Sequence, residues 1–258
     1  MNRRSFLAAT VTAAALTNFV AAAPAALDQT CYELRVYYAA EGKLDALHSR
    51  FRDHTCTLFT KHGMTNVGYW VPLENPDRKL YYILSYPSRD ARDKSWEAFL
   101  KDEDWKKAAA ESEKNGKLVS KIESTFLHTT DFSPVIKPEK HGPTTVYELR
   151  TYTASPGNLT NLLDRFRKHT VELFTKHKMT NFGYWTMDEK QTDADKTLVY
   201  LLIHDSKAAC EASFKSFRED PVWIAAKEAS EKAGGGSLTV KDGVKSVLMS
   251  PTDYSPAR

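Results

Sequence analysis

The chain is poor in cysteine, in charge of a single sign and in long apolar runs, and each shortage removes a class of protein. Its 258 residues include only three cysteines, Cys31, Cys56 and Cys210. They are odd in number and sit at no equivalent positions in the two halves described below, so they outline neither a disulfide framework nor a metal site, with one disulfide left open. Lys and Arg number 36 against 33 Asp and Glu, a net charge of +3. The signs alternate, as in Lys101-Asp102-Glu103-Asp104, instead of forming a basic stripe, so no nucleic-acid partner is implied. The apolar run from Ala8 to Val20 is shorter than the about 20 residues a membrane helix needs, and no other stretch qualifies.

That run has a different meaning. Arg3-Arg4-Ser5-Phe6-Leu7 precedes it and the small residues Ala21 to Ala26 follow. A twin-arginine pair, a short apolar region and an Ala-x-Ala cleavage site together make up a Tat export signal, a bacterial route for already folded proteins. We therefore expect residues 1–26 to be removed and the mature protein to be exported, periplasmic or extracytoplasmic, without a stable membrane span. Losing Arg3 and Arg4 lowers the net charge from +3 to +1.

The rest of the chain repeats. A shift of 115 positions lays Tyr32-Glu33-Leu34-Arg35 on Tyr147-Glu148-Leu149-Arg150, Leu58-Phe59-Thr60-Lys61-His62 on Leu173-Phe174-Thr175-Lys176-His177, and Gly68-Tyr69-Trp70 on Gly183-Tyr184-Trp185. Roughly two thirds of the aligned positions are identical, and self-similarity at a fixed spacing outranks any reading of single elements. Further on the shift becomes 118, where Asp102 and Trp105 meet Asp220 and Trp223; Asp131-Phe132-Ser133-Pro134 returns as Asp253-Tyr254-Ser255-Pro256. The organisation read from this is a first repeat over 27–134, a linker over 135–143 and a second repeat over 144–258.

Within a repeat, Tyr32 to Tyr38 alternates polar and apolar residues and reads as a strand. After Gly42, Leu44, Leu47, Phe51, Leu58 and Phe59 recur at helical spacing as far as Gly63. Val67 to Val71 and Leu80 to Tyr86 are further strands. A second helix follows Ser88, a good N-cap, with Trp96, Phe99 and Leu100 on its apolar face, and Ile122 to Leu127 is a last strand. The order β-α-β-β-α-β is the ferredoxin-like unit. Such a unit leaves one sheet face bare, so the predicted fold is α+β, with two tandem repeats packed sheet to sheet as an intramolecular barrel and the helices outside.

Tyr-Glu-Leu-Arg in the first strand, Gly-Tyr-Trp in the second, and Ser88-Arg89 followed by Trp96, Phe99 and Trp105 resemble the NIPSNAP family over nearly all of both repeats. The resemblance implies the dimeric α+β barrel superfamily, whose members include small monooxygenases, haem-degrading enzymes and isomerases. NIPSNAP proteins have no well-established reaction. Their better-known eukaryotic members are mitochondrial and linked to trafficking, whereas this chain has a twin-arginine signal and covalently joined repeats.

Strand parity selects the candidate site. Glu33, Arg35 and Tyr37 share one face of the first strand, and Glu148, Arg150 and Tyr152 their equivalents. With Leu34 and Val36 assigned to the helices, this polar face is expected to line the barrel interior. Asn66, Trp70, Tyr82 and Tyr86 would join it from the first repeat, and Asn181, Trp185, Tyr200 and His204 from the second. An unpaired buried charge is costly. The plainer reading is therefore that Glu33 with Arg35, and Glu148 with Arg150, are ion pairs that fix the strands. The functional reading is a polar, aromatic-walled pocket in which Arg holds an anionic group and Glu or His204 moves a proton. His204 stands where the first repeat has Tyr86, an asymmetry that reads either as one working pocket in a pseudo-symmetric pair or as drift.

His54 with His169, and His62 with His177, recur at matching helix positions. His54 and His62 are eight residues apart, too far for a chelating pair, so capping or core hydrogen bonds are expected. Gly234-Gly235-Gly236 lacks the Lys-Ser/Thr of a phosphate loop. No metal and no cofactor are expected. The resulting expectation is an exported barrel protein that binds a small molecule or a protein partner, with a higher oligomer left open. The alternatives are a cofactor-free monooxygenase or isomerase acting in the barrel interior, and an interaction protein whose barrel is fully packed.

Overall fold

The computed structural model describes residues 30–258; the expected export signal, residues 1–26, lies outside them. In the first repeat β1 (Cys31–Ala39), β2 (Thr65–Pro72), β3 (Lys79–Tyr86) and β4 (Val119–Thr129) form a sheet in the order 4-1-3-2. In the second, β5 (Val146–Ala154), β6 (Thr180–Met187), β7 (Thr197–His204) and β8 (Thr239–Pro251) repeat that order. The two sheets close into one antiparallel barrel through two seams, β2 with β8 and β4 with β6, of three residue pairs each. Each repeat thus supplies the edge strands that the other lacks, and no unpaired edge is left. Among the described residues no helix is long and apolar enough to cross a membrane.

The helices lie outside. The first helix of each repeat, residues 44–61 and 159–176, contains a π-helical turn, Phe51–Thr55 and Phe166–Thr170. Thr55 Oγ1 donates to the Arg50 carbonyl at 3.1 Å, and Thr170 Oγ1 to the Arg165 carbonyl at 3.2 Å. Ser88 caps helix Arg89–Lys101 by accepting from the Ala91 N–H, as expected. That helix ends at Asp102, whose carboxylate accepts from the N–H groups of Asp104 and Trp105 and opens the next helix, Glu103–Ser112. Ser206 and Asp220 do the same for Lys207–Glu219 and Pro221–Ala233.

Three apolar clusters hold the fold. One fills the barrel with Leu34, Val36, Trp70, Tyr81 and Ile83 from the first repeat and Tyr147, Leu149, Phe182, Trp185, Val199 and Leu201 from the second. The other two lie between each sheet and its own helices: Tyr37, Tyr82, Leu84 and Tyr86 against Phe51, Phe59 and Phe99, and Tyr200 and Leu202 against Phe166, Phe174, Phe214 and Phe217. The repeats are also clasped across the seams. Asp131 takes two hydrogen bonds from Arg167, at 2.6 and 2.7 Å, and Asp253 takes two from Arg52 at 2.7 Å. Ser133 Oγ accepts from the Tyr184 N–H and Ser255 Oγ from the Tyr69 N–H. The repeated Asp-x-Ser-Pro motif is therefore a reciprocal hook.

This arrangement corrects the expected orientation of the strands. Leu34 and Val36 point into the barrel, while Glu33, Arg35, Tyr37, Tyr82 and Tyr86 point at the helices, as do Glu148, Arg150, Tyr152, Tyr200 and His204. The aromatic residues of the repeat's helices cover the polar face, and the barrel takes the aliphatic one. Trp70 and Trp185 do face the interior. Asn66 and Asn181 do not share their side, because the ladder shifts register between Asn66 and Gly68 and between Asn181 and Gly183. Each Asn side chain instead bonds its own first helix, through the carbonyls of Cys56 and Val171.

His62 and His177 make the expected hydrogen bonds, each Nε2 lying 2.7 Å from the carboxylate of Asp102 or Asp220. His54 and His169 are exposed instead. All three cysteines are free thiols.

Candidate functional site

The first-repeat site starts from Glu33, whose side chain is fully buried. Burial alone would raise its pKa. Arg92 donates to both carboxylate oxygens at 2.9 and 2.7 Å, Arg35 pairs with Oε1, and Ser124 Oγ donates at 2.7 Å. Together these hold the carboxyl down at about 2. Tyr86 donates its hydroxyl to Oε2 at 3.0 Å and itself receives the Trp96 indole N–H at 2.8 Å. Arg35 is fixed further by donating Nε to the Tyr82 hydroxyl at 2.8 Å. Its guanidinium sits 4.4 Å from the Trp96 ring centre, within cation–π range. The sequence expectation of a Glu33–Arg35 ion pair thus holds, inside a larger network.

Above this floor opens a cleft of about 670 Å³ between the sheet and the helices. Arg35 and Tyr37 form its base, and Phe51, Phe59, Trp96 and Trp105 its walls. Arg50, the residue before the π turn, lines it too; its guanidinium lies 5.3 Å from the Trp105 ring centre. Arg50 Nη1 donates to Glu113 at 3.0 Å, while its buried Nε has no partner. Arg35, Arg50, Arg92 and Lys121 line the cleft against the carboxylate of Glu113, so the cleft presents positive charge over an aromatic wall.

The second repeat keeps the plan with different residues. Arg150 pairs with Glu148, donates to the Tyr200 hydroxyl at 2.8 Å and lies 4.6 Å from the Phe214 ring centre. Arg165 occupies the place of Arg50, over Trp223. Burial lowers its pKa, and no carboxylate bonds it among the described residues; its contact is the Ser230 hydroxyl at 3.4 Å. The cleft here is smaller, about 410 Å³, with Arg150, Tyr152, Phe214, Phe217 and Trp223 in its lining. Around Glu148 the partners change most. His204 Nε2 lies 3.0 Å from Oε2 and Cys210 Sγ 3.8 Å from the same oxygen, while Ser246 Oγ donates to Oε1 at 2.6 Å. Burial opposes ionisation of Glu148, and the His204 and Arg150 contacts outweigh it and lower its pKa.

Of the fourteen candidate residues, Asn66 and Asn181 bond the first helices, and the other twelve separate into three groups. Glu33, Arg35, Tyr37, Tyr82 and Tyr86 meet in the first repeat; Glu148, Arg150, Tyr152, Tyr200 and His204 meet in the second. Trp70 and Trp185 lie apart from both, inside the barrel, with indole N–H groups that find no partner among the described residues. Sequence reasoning missed Arg92, Arg50, Arg165 and Cys210 as site residues. The first and last were within reach, because the 118-residue shift that pairs Trp105 with Trp223 also pairs Arg92 with Cys210.

Comparison with known proteins agrees with the geometry at the level of fold. No curated protein matches the chain. A putative monooxygenase from Lactobacillus acidophilus superposes with a TM-score of 0.56 at 10% identity, over 86% of this chain and 94% of that one. An anthrone oxidase-like protein gives 0.54 at 11% identity, over 90% and 95%. Both show the same two-sheet barrel, and at such identity they show fold alone. A NIPSNAP family protein from Agrobacterium tumefaciens is 23% identical over 41% of this chain and 98% of its own, with a TM-score of 0.37. The NIPSNAP family profile matches residues 32–134 and again 147–256. Two copies of one domain account for most of the sequence, and the chain belongs to the NIPSNAP family.

Proposed function

We propose that this protein is an exported binding protein for a small organic anion with a planar apolar body, held in the cleft of the first repeat. The observation that carries this reading is the cleft itself: about 670 Å³, walled by Trp96 and Trp105 and based on the guanidinium groups of Arg35 and Arg50. A cavity of this size suits a small molecule, guanidinium selects carboxylate or phosphate geometry, and the indole faces accept a flat ring. Titration calorimetry with aromatic carboxylic acids and their neutral amides tests it. The acids should bind and the amides should not. Arg50→Met, which leaves the Glu33 network intact, should weaken binding at least about tenfold, or about 1.4 kcal/mol. Equal binding of acid and amide would refute the anion site. The export half rests on Arg3-Arg4, and Arg3→Lys/Arg4→Lys should leave the protein in the cytoplasm; unchanged export would refute it.

The fold shared with the Lactobacillus protein and the anthrone oxidase-like protein supports a second reading, cofactor-free oxygenation or isomerisation. The cluster that fills the barrel is aliphatic and aromatic, whereas ionisable groups line the cleft, so we place this chemistry in the cleft, beside Tyr37 and Arg35. Oxygen uptake on adding electron-rich phenolic acids would support it, and binding without turnover would favour the first reading.

A further inference from the structure

The two repeats surround the same glutamate with different chemistry. Position by position, Tyr86, Arg92 and Trp96 of the first repeat become His204, Cys210 and Phe214 in the second; the helices that carry the last two begin alike, on Ser88 and Ser206. Every hydrogen-bond donor that the first repeat's helix aims at Glu33, the Arg92 guanidinium and the Trp96 indole N–H, is lost. His204 in the place of Tyr86 and Cys210 in the place of Arg92 instead share a lone pair for a transition metal, while Phe214 brings no polar atom.

We infer that Glu148, His204 and Cys210 form a binding site for a divalent transition-metal ion, Zn²⁺ being the one that suits a carboxylate, imidazole and thiolate set. All three are buried, and their donor atoms lie within 4.8 Å of one another. With metal–nitrogen and metal–oxygen bonds of about 2.0 Å and a metal–sulfur bond of about 2.3 Å, a tetrahedral ion needs its donors about 3.3 to 3.6 Å apart. The observed separations, 3.0 Å from His204 Nε2 to Glu148 Oε2 and 3.8 Å from Cys210 Sγ to that oxygen, bracket this range. Arg150 and Ser246 already hold the other carboxylate oxygen, which orients Oε2 toward the cluster as an outer layer of contacts does in metal sites.

Charge balance points the same way. In the first repeat Glu33 is met by two guanidinium groups, Arg35 and Arg92, and in the second by Arg150 alone. A divalent ion bound to the Cys210 thiolate carries a net single positive charge and restores what Arg92 supplies. Binding releases the thiol proton and takes the imidazole with its proton on Nδ1, a buried atom that has no hydrogen-bond partner among the described residues. An ion here would tie β5, the end of β7 and helix Lys207–Glu219 together. The site is closed, so loading belongs to folding.

The test is the metal content of the full chain, produced with zinc or refolded with Zn²⁺ or Co²⁺ and then dialysed against chelator. One equivalent per chain is expected by elemental analysis, and the cobalt form should show a thiolate-to-metal charge-transfer band with tetrahedral intensity in the visible. Cys210→Ser should lose both signals. The triple variant His204→Tyr/Cys210→Arg/Phe214→Trp, which installs the first repeat's own residues, should fold and bind no metal. A wild-type chain that retains no metal, a cobalt form without the thiolate band, or full metal retention in either variant would each overturn the assignment. The wild-type spectrum decides the matter even where Cys210→Ser fails to fold.

Discussion

Replacing Glu33 by Gln removes one negative charge from a site built around it while keeping the side chain's shape. Arg35 and Arg92 would then lose the buried counter-ion they share, leaving Arg92 only Asp93. The cost follows from the titration of the carboxyl, which burial pushes up but Arg92, Arg35 and Ser124 bring down from the ordinary 4.5 to about 2. At 1.36 kcal/mol for each pH unit this difference corresponds to about 3 kcal/mol of stability near neutrality. Breaking one side of a buried ion pair costs a comparable 3–5 kcal/mol. The sign sets the pH window. A depressed folded-state pKa stabilises above 4.5, and that stabilisation fades as pH falls from 4.5 toward 2. By pH 3.5 about 1.4 kcal/mol should already be gone. Urea unfolding of wild type and Glu33→Gln at pH 7, 5 and 3.5 measures this directly. The gap should be about 3 kcal/mol at pH 7, nearly the same at pH 5, and clearly smaller at pH 3.5. A gap below about 1 kcal/mol at pH 7, or one that does not change with pH, would refute the reasoning.

Two other substitutions test the packing. A methyl group on Gly68 would lie 2.2 Å from the Trp70 ring, which Tyr147 and Phe182 hemmed in from the other repeat cannot release; Gly68→Ala should cost about 1–3 kcal/mol in thermal or urea unfolding, and adding Trp70→Leu should recover part of it. Asp253→Ala unhooks Arg52 at an exposed position, so a loss within about 1 kcal/mol is expected, and a larger one would mean that the hook carries more than a surface ion pair does.

Much of this fold can be read from the sequence, because a 115-residue repeat with alternating strands and a 3.6-residue apolar period leaves few ways to bury both sheets. Alternation states which residues share a face, not which face that is. The usual assumption that the helix-covered face is aliphatic sent Leu34 to the helices and Glu33 to the barrel. The residues that reverse it are on the helices: Arg92 and Trp96, one turn apart, bring donors to Glu33, while Phe51 meets Tyr82 edge-on and Phe59, backed by Phe99, stacks on it. Trp70 lies on the interior side because it pairs with Tyr81, leaving Tyr69 to pair with Tyr82, and the register shift at Asn66–Gly68 separates it from Asn66. The π turns leave no mark in the sequence, since Arg50-Phe51-Arg52 has an unbroken helical pattern. Arg50, which lines the first cleft, and Arg165, its counterpart over Trp223, are not assigned from spacing.

The interdependence of the repeats gives the last prediction. In the first repeat alone, residues 27–134, the face bearing Leu34, Val36, Trp70, Tyr81 and Ile83 would meet water. At about 1.5–3 kcal/mol for each large apolar side chain the exposure costs on the order of 10 kcal/mol, as much as a typical domain's whole stability. The fragment also loses the partners of both edge strands, β8 for β2 and β6 for β4. The repeat carries its own substitutes, because β8 is the counterpart of β4 and β6 that of β2. Two fragments related by a two-fold axis can therefore pair β2 with β4 twice and close an eight-stranded barrel. The hook would be remade as well: Asp131 finds Arg52 of the second copy where it now holds Arg167, and Ser133 finds the Tyr69 N–H in place of that of Tyr184. The fragment should accordingly sediment as a dimer, or aggregate where its edges mispair, with unfolding that depends on concentration. The intact chain should unfold in one cooperative step at a concentration-independent midpoint. A fragment that sediments as a monomer and melts cooperatively would show that the barrel face tolerates water, contrary to the packing of Trp70 against Tyr147.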